Sequence, residues 1–509
     1  MRTRAKAWAT LLACTIALVA CGGHATGESG SGGKAAYSSG AGAVAARSIP
    51  SGDWSQFNYT AQRGGAGPPN TGITPGDLRL LQRRTVRLDG TVDSTAIELH
   101  AIKVRGRRRD VLVLTTTYGR TIALDAGTGR KLWEFVPADI RAYEGSAQIT
   151  TATPTADPNR RYVYATSPDA RVHKLALSSG REVRSGHWPV SVSSDPSREK
   201  LASPPSLVAG ALIIVTDGYN GDAPTYQGHV VKIDRVSGRI EAVWNSLCSN
   251  RHRLINPPSS CPASDSAIWG RAGAVIEPGS GRILVSTGNG QFNGSTDWGD
   301  SVLELSSGLR LLHNWTPSNQ ASLNARDADL GSTSPVLLAA GGAGRFAVQG
   351  GKSGVLSLLN LNRLDGTTGG AGPRTGGELQ TIQAPRGDQV FTAPAVWKHG
   401  GRVYLFVADN SGTAAYTFGA GQRLGVLWQD GTPGTSPVIA GGLLYVYDQV
   451  HGALVVRRPT SAAPLAALPA APGHWNSPIA VGGRIVLPEG DANAHATSGM
   501  LEIYHLPGR

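Results

Sequence analysis

Three features of the sequence predict an all-β protein, an eight-bladed β-propeller. A hairpin recurs along most of the chain, as a radial stack of small sheets requires. Glycine and proline reach 67 and 31 of 509 residues, which suits a fold full of turns. No long helical period appears. The clearest hairpin is residues 118–133, Tyr-Gly-Arg-Thr-Ile-Ala-Leu-Asp-Ala-Gly-Thr-Gly-Arg-Lys-Leu-Trp. Alternation around Ile122 and Leu124 suits a strand with one buried face. Asp125 to Gly129 then supplies a side-chain acceptor and glycines free to take positive φ. Leu132 and Trp133 open the second strand.

Residues 227–244 are the cleanest second copy, and looser ones stand at 169–183, 300–315, 352–364, 411–428, 448–458 and 498–506. A half-unit with an early proline and a small-residue turn precedes each copy, as at 435–447 and 476–487. Two hairpins make a four-stranded blade, so the count is eight, at about 40–70 residues per blade. The units at Asp169 and Asp448 are the weakest, and losing one would leave seven. The last unit reaches the C-terminus without an outer strand. Residues 80–88 (Leu-Leu-Gln-Arg-Arg-Thr-Val-Arg-Leu) are expected to fill that place and close the ring. Length alone would suggest several domains. The repeat overrides it, because each blade buries its faces only against its neighbours.

The first residues predict export. Arg2, Arg4 and Lys6 precede an apolar run, residues 7–20, that is short for a membrane span. Leu18-Val19-Ala20-Cys21-Gly22 resembles the lipobox of bacterial lipoproteins. That resemblance implies a signal peptide over 1–20 and a fatty-acylated (palmitate-type) Cys21, anchoring the chain to the extracytoplasmic face of the cell membrane. The other reading is an ordinary signal peptide that contains a cysteine. Residues 21–52, rich in Gly, Ser and Ala, read as a flexible tether, and 53–509 as the propeller. Of the four cysteines, Cys14 lies in the leader. Cys248 and Cys261, an even pair in an exported chain, read as a disulfide pinning a short insertion. The net charge of +12 is mild over this length and favours anionic envelope surfaces. Nucleic acid is not an expected partner: the basic run at 105–109 is isolated and suits a solvated hairpin tip.

The repeat resembles that of the pyrroloquinoline quinone (PQQ) propellers, a family of quinoprotein alcohol dehydrogenases and of non-enzymatic outer-membrane assembly lipoproteins. The resemblance runs from about Asp53 to the C-terminus. It implies site residues in the middle of the chain. Trp269, in Ser266-Ala-Ile-Trp-Gly, would lie under the quinone. Asn289, in Thr287-Gly-Asn, would be a Ca²⁺ ligand. After Thr316-Pro317 comes Arg326-Asp327-Ala-Asp329, ahead of Ser334-Pro335. Asp327 would be the catalytic base and a metal ligand, with Asp329 its alternate. Lys352, in Lys-Ser-Gly354, would contact the quinone oxygens. The family's Glu ligand has no match; Asp222 is the displaced substitute.

The implied chemistry is coherent. Ca²⁺ prefers oxygen ligands and polarises a quinone carbonyl as a Lewis acid. A carboxylate beside it takes the alcohol proton, while an aromatic face supports the planar cofactor. The expected function is oxidation of an alcohol or sugar with PQQ and Ca²⁺. The competing expectation is a binding propeller that scaffolds envelope proteins and keeps only a degenerate pocket. Each residue also has a plainer reading: Trp269 as blade packing like Trp133 and Trp244, Asn289 as a turn residue with positive φ, Asp327 and Asp329 as loop caps, and Lys352 as a solvated lysine.

Overall fold

The computed structural model describes residues 52–219, 225–339, 344–365, 373–419 and 421–507. The expected leader, Cys21, nearly all of the expected tether and Asp222 lie outside the described residues. Eight four-stranded antiparallel sheets make the propeller. Blades 1 to 7 span residues 97–135, 155–191, 206–245, 275–315, 336–383, 395–430 and 438–469. Blade 8 takes its inner three strands from residues 479–505 and its outer strand from Gln82–Leu88, which pairs with Gly499–His505. The N-terminal closure therefore stands as expected, two residues shorter: Leu78–Leu80 is a 3-10 turn. The units at Asp169 and Asp448 both belong to complete blades. Their sequence signal was weak because blade 2 ends in a two-residue strand, Val190–Ser191. Blade 7 ends in Pro464–Pro469, with a proline at each end as only an edge strand tolerates.

The recurring turn works as its residues suggest. Asp125 Oδ1 accepts the Thr128 amide at 3.0 Å, and Gly129 takes φ +72°. Asp234, Ser237 and Gly238 repeat the arrangement in blade 3, with a 2.7 Å bond and φ +78°. Several tryptophans reach the neighbouring blade. Trp133 Nε1 bonds the Leu177 carbonyl at 2.8 Å, and Trp428 Nε1 that of Pro459 at 2.9 Å. Most of the core is a ring of seams, the larger apolar clusters drawing on adjacent blades. One joins blades 1 and 2 through Val113, Ala123, Val163 and Leu175, and another closes the ring between blades 7, 8 and 1. The basic run at Arg105 does form an exposed hairpin tip. Among the described residues no helix is long and apolar enough to cross a membrane.

The innermost strands start at one face of the ring and end at the other, the base. Residues 54–73 form a strap across that base, which the repeat pattern did not reveal. Carbonyls of Ser55, Ala61, Gly64, Gly65 and Thr71 accept amides from blades 2, 4, 6, 7 and 8 at 2.6–2.9 Å. Trp54 pairs with Glu98 of blade 1. Arg63, fully buried, bonds the Pro205 carbonyl and Ser206 Oγ at blade 3, at 2.8 and 2.7 Å. Phe57 packs between blades 4 and 5. The strap thus ties the base together, and the lead-ins to the blades lie at the other, open face.

Candidate functional site

At the open face the chain enters every blade by the same route. The residues four positions before the innermost strands are Asp93, Thr151, Ala202, Arg271, Ser332, Phe391, Gly434 and Trp475. A cavity of about 420 Å³ lies there, lined by four of these residues (Asp93, Thr151, Phe391 and Trp475), by others in the lead-ins and by turns between second and third strands. Arg271 stands behind that lining, against Trp475. It is buried, and its Cζ lies 5.7 Å from the Trp475 ring centroid and 6.0 Å from that of Phe57 in the strap. Its guanidinium donates to the carbonyls of Asp93 and Trp475 at 3.2 and 3.3 Å. Burial lowers its pKa, yet it ties several lead-ins together below the cavity.

One wall is aromatic. Ring centroids of Trp269, Phe391 and Trp475 are 5.9–6.1 Å apart. Lys352 Nζ stands 5.5 Å from the Trp269 ring. It also lies 2.6 Å from Asp329 Oδ2 and 3.1 Å from Asp327 Oδ1. Burial opposes the lysine's charge, but the two carboxylates outweigh it and its pKa rises. Asp329 is buried and accepts the Asn289 amide. Burial raises its pKa despite the pull of Lys352. Asp327, its side chain 57 % exposed, turns to solvent. Gly288 makes the cluster possible. A Cβ there would stand 2.5 Å from Asp329 Oδ1 and 3.3 Å from Trp269 Nε1, closer than packed atoms tolerate.

Beneath this wall Asp300 is fully buried and accepts the Leu330 amide at 3.0 Å. Burial, with the charge of Asp329 adding to it, pushes its pKa up to about 7. The unfolded chain releases that proton near pH 4, so the folded state holds more protons between about pH 4 and 7. Stability attached to this group is full below the lower value and falls as pH rises through the upper one. Asp300→Asn keeps an acceptor for Leu330 and suits the residue's φ of +48°. It is expected to exceed the wild type by about 1–3 kcal/mol at pH 8, with the gap closing by pH 4. Melting curves at the two pH values check this, and parallel curves with no pH-dependent gap would refute it.

Residues 86–265 match the model of a PQQ repeat family described as outer membrane protein assembly factor BamB. The fold matches the quinohemoprotein alcohol dehydrogenase of Comamonas testosteroni with TM-score 0.64, over 90 % of this chain and 81 % of that one, at 12 % identity. Residues 86–265 carry the PQQ-type repeat, and the chain as a whole shares the propeller fold. A europium-containing methanol dehydrogenase gives TM-score 0.65 at 12 % identity, over 89 % of the propeller chain and 98 % of the other. BamB from Moraxella catarrhalis gives 0.50 at 12 % identity, over 84 % and 98 %. At such identities the likeness is one of fold. No curated protein matches the chain in sequence.

The propeller brings Trp269, Asn289, Asp327, Asp329 and Lys352 together. Trp269 is part-exposed at the cavity, unlike the buried Trp133 and Trp244. Asn289 is not among the positive-φ residues, so the plain turn reading fails. A calcium ion takes roughly six to eight oxygen ligands. Here Asp327, Asp329 and Asn289 are the described candidates, and the Lys352 ammonium already stands against both carboxylates. The described residues therefore do not fit a calcium cage, and the cationic role is filled by Lys352. The aromatic trio and the ammonium do suit a planar anionic ring. Sequence reasoning missed Phe391, Trp475, His474, Asp93 and Arg271. The disulfide it expected is present: Cys248 and Cys261 are joined, their Cα atoms 6.1 Å apart, packing with Leu247 and Ile255 inside the insertion.

Proposed function

We propose that the cavity binds a planar, anionic ortho-quinone of the PQQ class, in an extracytoplasmic, lipid-anchored dehydrogenase acting on an alcohol or sugar. The observation that carries this reading is the wall on which Trp269, Phe391 and Trp475 meet Lys352. Aromatic faces receive a flat ring, and a fixed ammonium pairs with its carboxylate or carbonyl oxygens. A cavity of about 420 Å³ is of small-molecule size. When bound, the quinone supplies the two-electron acceptor that alcohol oxidation needs. Lys352 orients the ligand, Asp329 holds Lys352, and the solvent-facing Asp327 takes the hydroxyl proton of the substrate.

Purified protein given PQQ, with and without Ca²⁺, is expected to bind it in both cases and to reduce an artificial dye with some alcohols. Asp327→Asn should abolish reduction while the quinone stays bound. No binding at millimolar quinone would overturn the reading. A scaffold propeller is the second reading, favoured by the pairing of both carboxylates with Lys352; binding without turnover would select it. For the anchor, fatty-acid labelling is expected in the wild type and lost in Cys21→Ala. Equal labelling of the two would end that claim.

A further inference from the structure

Beside Trp475 the cavity carries a second constellation, where blade 8 meets the lead-in of blade 1. We propose that Asp93, His474 and Asp491 form a binding site for a divalent transition-metal ion of the Zn²⁺ class, open to the cavity. Asp93 Oδ2, His474 Nδ1 and Asp491 Oδ1 lie within 4.8 Å of one another. Among the described residues no other trio of His, Cys, Asp or Glu side chains meets this spacing. His474 Nδ1 is 2.6 Å from Asp93 and 3.5 Å from Asp491. Ligand atoms at about 2.0–2.1 Å around tetrahedral zinc stand about 3.3 Å from each other. The second spacing already suits that, and the first opens by less than about 1 Å once the ion replaces the shared proton.

One imidazole and two carboxylates suit a borderline ion, whereas calcium favours oxygen alone. The donors are held before any ion arrives. Asp93 is fully buried, with Oδ1 on the Trp475 amide at 2.9 Å and Oδ2 on that of Ala492 at 3.0 Å. The His474 ring stacks on Trp475 with centroids 4.2 Å apart. Asp491 is fixed by the Asn493 amide at 2.8 Å. Such outer contacts orient metal ligands. The His474 and Asp491 side chains are 24 % and 43 % exposed, which gives the ion an entrance and leaves a fourth position open. Arg271 lies close and opposes a second cation, but the two carboxylates outnumber it. The ion would also clamp the last blade to the first.

This site does not depend on the quinone reading, and its test contains no quinone. Full-length protein freed of metal is titrated with zinc chloride by calorimetry. One tight equivalent is expected, weakened at least tenfold in His474→Ala and in Asp491→Asn. It should persist in His313→Ala, whose imidazole pairs with Asp365 on an outer strand. Zinc should raise the melting temperature of the wild type and not that of Asp491→Asn. If His474→Ala fails to fold, Asp491→Asn decides alone, since the amide keeps the acceptor for Asn493. The absence of a saturable tight equivalent, or its retention in Asp491→Asn, would overturn the proposal. Displacement of zinc by an equal concentration of calcium would overturn the metal class.

Discussion

Arg484→Met is expected to destabilise the protein by about 3–5 kcal/mol, the usual cost of stripping one partner from a buried ion pair. Arg484, in blade 8, bonds Glu98 of blade 1 at 2.5 Å and Asp110 at 2.7 Å, with its side chain 7 % exposed. Glu98 is buried, which pushes its pKa up to about 7 against the pull of Arg484. Without that guanidinium the carboxyl stays protonated to still higher pH. The variant then loses stability as pH rises, because its unfolded chain gives up that proton near pH 4 while the folded one must hold it. Denaturant titrations at pH 5 and pH 8 should show the deficit growing. The double variant with Glu98→Gln should lose less than the two single changes added together. A deficit below about 1 kcal/mol at pH 8 would mean that water reaches Glu98 once the arginine is gone.

Lys352→Met should weaken quinone binding by roughly 10- to 100-fold, the worth of a charge-assisted hydrogen bond at about 1.5–3 kcal/mol. Methionine keeps the length and apolar stem of the side chain but removes the only cation against Asp327 and Asp329 among the described contacts. The buried Asp329, already raised by its surroundings, then holds its proton more firmly. Fluorescence titration of Trp269 and its neighbours with PQQ would measure the change. Equal affinity in variant and wild type would remove Lys352 from the ligand-binding wall.

Much of the ring was legible because its turns are chemical. The Asp-to-Gly spacing at 125–129 and 234–238 dictates the same hairpin wherever it stands, and the unpaired eighth blade pointed to a strand near residue 80. The strap was not legible. Its carbonyls and amides do the bonding, so residues 54–73 carry no periodic side-chain pattern. The cavity was half legible. Trp269, Asn289, Asp327 with Asp329, and Lys352 sit in short family-like stretches, whereas Asp93, Phe391 and Trp475 share only a position. Four residues before each innermost strand the chain places Asp, Thr, Ala, Arg, Ser, Phe, Gly and Trp in turn. A repeat is found by what its copies share, and a binding site is built where they differ. Counting back from each predicted blade start would have collected the ring of lead-ins.

The outer strand of blade 8 also imposes a timetable. Thr85 and Glu502, which bond each other across that sheet, are 417 residues apart in the chain. At the roughly 5–20 residues per second of protein synthesis, about 20–80 s pass between the making of the two. Over that interval Gln82–Leu88 is a strand without a sheet, and the strap has no complete base to cross. Seven blades can assemble one after another, each against its predecessor. The circle waits for Gly499–His505, so a chain that lacks that strand has two open edges and an apolar seam facing water.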